Sequence, residues 1–175
     1  MKTLRVLLAD LTATAGVEMA MVAPLLIILM FGSMELGNYF LDQHAVSKQV
    51  HDGARFASRM TLASTYSCPG TVFADSGATD KIVNVTKTGS VDGVATGRFC
   101  SSFWAACGTA ASPVTVTMRC VDKTKYGGIY TGLSGAIPVV KVSADVAYPT
   151  LFGALGFNAG ALCLRAESEA AVAGL

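Results

Sequence analysis

The residues of this 175-residue chain that are able to do chemistry are few, and their spacing does not suit catalysis. Glu18 and Glu35 close the two ends of an apolar run, 17 positions apart. That separation makes them poor candidates for paired general acid–base work, which needs both groups at one reacting centre. His44 and His51 are the only histidines and lie seven apart, whereas a zinc site on one helix wants a spacing of four. They read as part of a solvated face. Gly132-Leu133-Ser134-Gly135 lacks the spacing of a nucleophile elbow, and there is no phosphate loop and no dinucleotide fingerprint. A net charge of +1 without a basic stripe argues against a nucleic-acid partner. The expectation is a protein that is not an enzyme and uses no cofactor or metal.

A carboxylate at the edge of an apolar run has a different chemistry. At a helix start the macrodipole favours it, and the side chain can reach back to water. Carried into the bilayer, an unpaired charge costs ~2.5–3.5 kcal/mol and so demands a positive partner. Glu18 is open to both descriptions. The other chemistry is thiol chemistry. Five cysteines, Cys68, Cys100, Cys107, Cys120 and Cys163, all follow the apolar run, and none fits a paired-cysteine metal pattern. Disulfides in an oxidising compartment are the better account. Cys100 and Cys107 are placed to close a small loop around Phe103 and Trp104; alternatively, either pairs with Cys68 or Cys120. The odd count leaves at least one thiol free or bonded to another molecule. An aromatic-bearing loop of this kind reads as a plug over the core in preference to a contact surface.

The elements that must position these groups begin with residues 19–34, which carry no charge. A bilayer core of ~30 Å needs roughly 20 residues, and extension through Leu36, Tyr39 and Phe40 supplies the remainder, with Glu35 inside the span. Pro24 removes a backbone donor early in the run and favours a kink. Ser33 and Gly37, four apart, offer a weak small-residue signal for close helix approach. Lys2 and Arg5 precede the run and no Lys or Arg follows until Lys48, so the N-terminus is expected in the cytoplasm and the C-terminal part outside. From 36 to 59 the helix continues in amphipathic form, with Leu36, Phe40, Val46, Val50, Ala54 and Ala57 on one face. Asn38, Asp42, Gln49, Asp52, Arg55 and Arg59 lie on the other, and Asp52 and Arg55 are spaced to pair. One helix over 14–59 would be about 70 Å long.

Beyond it, 61–79 reads as a connection, with Cys68-Pro69-Gly70 as a turn signal. Residues 80–88 read as a short helix ended by Gly89, with a strand as the alternative, and Asn84-Val85-Thr86 matches a glycosylation sequon by a short pattern. Three strands are expected at 114–121, 139–148 and 161–173. The second alternates most clearly, with Val140, Val142, Ala144, Val146 and Tyr148 on one face and Lys141, Ser143 and Asp145 on the other. The third is expected to place Leu162, Leu164, Ala166 and Val172 inward. The fold class is therefore α+β: a long N-terminal helix, membrane-spanning in its first half, packed on a small antiparallel sheet with one wet face.

Val17-Glu18-Met19-Ala20, Pro24, the apolar run, Phe31-Gly32, Glu35 and Gly53-Ala54-Arg55 together resemble the TadE family of pseudopilins of the Tad (Flp pilus) system. The strand ending Tyr148-Pro149 and the last strand are loosely similar as well. The resemblance implies a pilin-like assembly subunit with three segments: a cytoplasmic leader over 1–13, a helix over 14–60 and an exported disulfide-containing β domain over 61–175. It implies removal of the leader by a prepilin peptidase. A glutamate at the fifth mature position sets the cut between Ala13 and Thr14, although family members usually have glycine where this chain has Ala13. It further implies assembly through Glu18, Pro24 and Glu35. The implied partners are other pilin and pseudopilin subunits, the pilus assembly platform and the inner membrane. An anchored periplasmic binding or adhesion domain outside any filament is the alternative.

Overall fold

Leucine, methionine and alanine, all good helix formers, dominate the apolar run. They form one helix with the amphipathic stretch that follows, α1 (Thr12–Ser58), continuous through Pro24. The computed structural model describes residues 12–94, 103–125, 128–130, 135–153 and 162–173. The chain divides into two units, Met1–Tyr39 and Phe40–Leu175, and α1 passes from the first into the second.

In the first unit α1 is apolar around its whole circumference. Val17, Met21, Leu25, Ile28, Leu29 and Met34 are all exposed, Met21 by 75%. Only Ala23 and Glu35 are half-buried between 15 and 36. A helix that is apolar all round needs a cover of protein or lipid. This one is long and apolar enough to cross a membrane, and none of its most apolar stretch is buried within the chain.

In the second unit α1 buries one stripe: Asp42, Val46, Val50, Gly53, Ala54 and Ala57. Asp42 is only 5% exposed and Phe40 is 54% exposed, the reverse of the faces expected from the sequence. The helical period explains the exchange. Asp42, Val46 and Val50 share one i, i+4 row, whereas Phe40 stands six residues before Val46 and falls on the other side. The end of α1 is fully capped, although the last four carbonyls of any helix lack intrahelical donors. Ser58 Oγ donates to Arg55 O (2.9 Å). Arg59 N donates to Phe56 O, Met60 N to Ala57 O, and Ala173 N to Ser58 O. The buried Tyr66 hydroxyl also donates to Ala57 O.

A one-turn helix, α2 (Leu62–Thr65), leads into the Tyr66–Phe73 bridge, and α3 (Ala78–Thr88) follows. Asp75 Oδ1 accepts from Gly77 N (2.9 Å) before α3. That backbone N–H, with Lys81 beside it, holds the Asp75 carboxyl below the usual range. At the other end Gly89 adopts φ 73° and its N–H closes on Val85 O (2.8 Å), a conformation that glycine takes without penalty. Ala78, Ile82 and Thr86 are the buried row of α3.

Strands β1 (Val114–Val121), β2 (Ile137–Ala147) and β3 (Cys163–Ala171) form an antiparallel sheet in the order β1-β2-β3. The register sets Val116 against Val142 and Ser168 against Val142 from the other side. Alternation along β2 buries Val140, Val142, Ala144 and Val146, as the sequence predicts. The core lies between this face, Leu164 and Val172, and the buried rows of α1 and α3. α1 runs parallel to β3. Gln43 Nε2 donates to Arg165 O (2.7 Å), His51 Nδ1 lies 3.4 Å from Ser168 Oγ, and Ser58 O meets Ala173 N at 2.9 Å.

The outer face carries Arg119–Glu169 (2.8 Å), Lys141–Glu167 (2.7 Å) and Arg165–Asp145 (3.3 Å). Arg119 lowers the Glu169 carboxyl, and Glu167 raises the Lys141 ammonium. Pairs this exposed add little to stability. No ion pair joins Asp52 to Arg55 among the described residues. β3 starts later than expected, and Leu162 is 50% exposed instead of facing inward. It lies just before β3 at the end of the sheet; its carbonyl accepts from Tyr148 N, but its side chain stays exposed.

At Gly53, α1 comes close to Thr86 of α3. A Cβ built there would stand 2.0 Å from Thr86 Oγ1, which is fully buried and donates to Ile82 O. Gly53→Ala is expected to destabilise the folded unit by about 1–3 kcal/mol through overpacking. Thr86→Ala in the same chain removes the clashing oxygen and recovers most of that loss. A double-mutant cycle in urea checks it, and simple additivity of the two changes would show that the two sites do not meet.

Candidate assembly segment

The site residues expected from the sequence fall on three separate structures. Ala13 and Thr14 lie in the first turn of α1, where the helical N–H groups have no intrahelical acceptors. Residues 1–11 of the expected leader lie outside the described residues. Glu18 is exposed one turn further on, at i+4 from Thr14, so the two share a face. Pro24 stands within the apolar stretch and leaves the Ala20 carbonyl without its helical donor. Glu35 is half-buried at the far end of the run. Added Cβ atoms at Gly16, Gly32 and Gly37 would meet nothing within 4 Å. Among the described residues, nothing therefore requires glycine on this part of α1. Ser33 Oγ turns back to Met30 O (2.9 Å), and its hydroxyl is satisfied within the helix.

The cysteines pair across the sheet. Cys68 bonds to Cys120 at the end of β1, with Cα atoms 5.9 Å apart, and so ties the connection before α3 to the sheet. Cys107 bonds to Cys163, with Cα atoms 5.8 Å apart. This corrects the expectation that Cys107 closes a loop with Cys100 or pairs with Cys68 or Cys120. Residues 105–107 run along β2, through Cys107 N to Asp145 O (3.2 Å) and Ala147 N to Ala105 O (2.9 Å). β3 pairs with β2 and places Cys163 opposite Ala147. Sheet register, set by residues about 40 positions away in sequence, thus decides the partner. Cys100 lies outside the described residues. Asp145 offers a carboxylate oxygen within 4.8 Å of both Cys107 and Cys163 sulfurs, but those sulfurs are joined to each other and present no thiolate to a metal.

The remaining motifs resolve into structure. Trp104 is buried, its Nε1 donates to Lys87 O (2.9 Å), and Phe103 meets it edge-on at 5.9 Å. It plugs the core beside α3. Thr86 of the sequon is fully buried on a helix, and Asn84 Nδ2 donates to Val91 O (3.1 Å), so the tripeptide serves packing. His44 and His51 are both exposed on α1.

Sequence reasoning passed over Tyr66, which holds the end of α1. Burial pushes its phenol up to about 12. An unfolded tyrosine titrates near ~10, so the folded state favours the neutral form. The stabilising contribution is complete below pH ~10 and is lost as pH rises towards ~12. Thermal midpoints measured from pH 9 to 12 are expected to fall over that window in the wild type, and less steeply in Tyr66→Phe. Equal slopes in the two proteins would remove Tyr66 as the cause.

The family model described as TadE-like protein matches residues 13–55. The match starts in the first turn of α1 and ends at Arg55, three residues before the helix ends. No curated protein matches the chain, and no solved structure does.

Proposed function

With a TadE-like segment running the length of α1 as the premise, we propose that this chain is a minor pilin-like subunit of a Tad-type pilus assembly and secretion system. The observation that carries the proposal is the state of residues 15–36: a helix with apolar side chains on every side, nearly all of them exposed among the described residues. Such a surface has two uses, lipid before assembly and neighbouring helices after it.

The steps follow from the positions of the groups. The chain sits in the inner membrane with Lys2 and Arg5 in the cytoplasm and the sheet outside. A prepilin peptidase hydrolyses the Ala13–Thr14 bond in the first turn, where helical hydrogen bonding is weakest. Water supplies the new Ala13 carboxylate and the new Thr14 amine. Glu18, one turn away, then faces a positive charge, either its own amine or that of the next subunit. The second pairing fixes register between stacked helices, because removing one partner of a buried pair costs ~3–5 kcal/mol. Pro24 and Glu35 belong to the same segment and pack in the same assembly. The disulfide-tied sheet is displayed outside, where an oxidising compartment keeps both bonds closed.

Intact-mass measurement tests the proposal. Co-expression with the peptidase is expected to shorten the chain by residues 1–13, and single cysteines placed at exposed positions such as Leu25 and Leu29 are expected to cross-link to pilin subunits. Cross-links absent at every position, with Met1 retained beside active peptidase, would return the chain to the class of lone anchored domains.

A further inference from the structure

We propose, resting on the reading of residues 15–36 as a membrane span, that one end of the Phe40–Leu175 unit lies on the lipid surface through Phe40, Leu41, Leu151 and Leu162. The chain enters this unit at Phe40. Phe40 and Leu41 are 54% and 62% exposed, on α1 just before Gln43. Gln43 meets Arg165, His51 lies beside Ser168 and Ser58 meets Ala173, so β3 begins at the end of the unit where the chain comes in. Leu162 precedes Arg165 by three residues, about 10 Å at strand rise, further out along that direction than Phe40 is from Gln43. Leu162 O accepts from Tyr148 N (3.0 Å), which brings the end of β2 to the same place. Leu151, three residues past Tyr148, is 47% exposed, and Leu162 is 50% exposed.

Charge points the same way. No Asp, Glu, Lys, Arg or His occurs from 146 to 164. Along this stretch the nearest charges are Asp145 and Arg165, which bond to each other at 3.3 Å; on α1 the ionisable residues that follow Leu41 are Asp42, which is buried, and His44, which is exposed. The Cys107–Cys163 bond and the Tyr148–Leu162 hydrogen bond hold the base of this end in place. Exposed, uncharged side chains such as Phe40, Leu41, Leu151 and Leu162 beside the point where the chain leaves a membrane helix fit the headgroup–acyl boundary, where side chains of this type sink ~5–10 Å. With no Lys or Arg from 6 to 47 or from 146 to 164, anionic lipid is not required.

The test uses the full chain reconstituted in phosphatidylcholine vesicles that contain a lipid with a diazirine in its acyl chain. After illumination, labelled residues are located by mass spectrometry. Labelling is expected on residues 15–36 and, separately, on Leu151 and Leu162. The second set is expected to exceed the solvent-exposed Val91 and Val94 by about tenfold, since two leucines leaving water are worth at least that ratio. Leu151→Asn with Leu162→Asn should bring the second set to the Val91 level and leave labelling of 15–36 unchanged. A labelled span with Leu151 and Leu162 at background overturns the lipid contact and leaves the span standing. No labelling anywhere overturns both. Protection of the leucines only by chain-to-chain cross-links that grow with protein concentration would assign this end to a second copy and overturn the lipid contact.

Discussion

Glu18→Ala is expected to leave the protein in the membrane at its normal level and to remove it from filaments. The two effects separate because they draw on different properties of α1. Insertion depends on the apolar residues between 19 and 34, and loss of a carboxylate makes that segment slightly more favourable in lipid. Assembly, in the reading proposed above, depends on the charge. No Lys or Arg occurs between Arg5 and Lys48, so this stretch of chain has no cation of its own to offer Glu18. With the leader removed as proposed, a Thr14 amine four residues before Glu18 would be the nearest positive group along the chain. When helices stack, an amine without its carboxylate is a buried unpaired charge, at a cost of ~3–5 kcal/mol, roughly a thousandfold in an association constant. Glu18→Gln should behave like alanine, since it keeps the shape and loses the charge. Membrane fractionation and quantification of filaments in the two variants are the measurements. Filaments at wild-type level, with the variant incorporated, would remove Glu18 from assembly.

Removing Cys107 and Cys163 together, both as alanine so that no free thiol is created, is expected to destabilise the Phe40–Leu175 unit by about 4 kcal/mol. The figure follows from the 56 residues the bond encloses. The same paired change at Cys68 and Cys120, separated by 52 residues, should cost a nearly equal amount. Domains of this size hold only ~5–15 kcal/mol in total, so either loss takes a large share and the two together should leave the unit unfolded. Trp104 reports the transition directly, since it is buried against α3 and becomes exposed on unfolding. Urea midpoints of the full chain in detergent, followed by its fluorescence, would give the difference. A change below ~1 kcal/mol would mean that the unfolded chain is not restrained by the bond as the chain-entropy model requires.

Much of this fold is legible in the sequence, for a local reason. The period of 3.6 in Val46, Val50, Ala54 and Ala57, and the period of 2 in Val140, Val142, Ala144 and Val146, are properties of a few adjacent residues. They appear in the structure as the buried face of α1 and the buried face of β2. The short helix ended by Gly89 and the three antiparallel strands follow from the same kind of signal. Where the local signal is thin, the tertiary structure departs from it. Asp42 is polar, yet it occupies the buried row because its neighbours at i+4 and i+8 decide the face. Leu162 continues the alternation of β3, yet it stands at the end of the sheet and is 50% exposed.

The sequence by itself determined the apolar span, its terminal carboxylates and the alternation of helix face and strands, because each is set by the chemistry of near neighbours along the chain. Tertiary structure alone decided that Cys107 takes Cys163, that Gly53 has no room for a side chain beside Thr86, and that Tyr66 closes the end of α1. These contacts join residues from nine to more than fifty positions apart. They depend on which strand lies beside which and how far α1 and α3 approach, and no local pattern of residue types carries that distance.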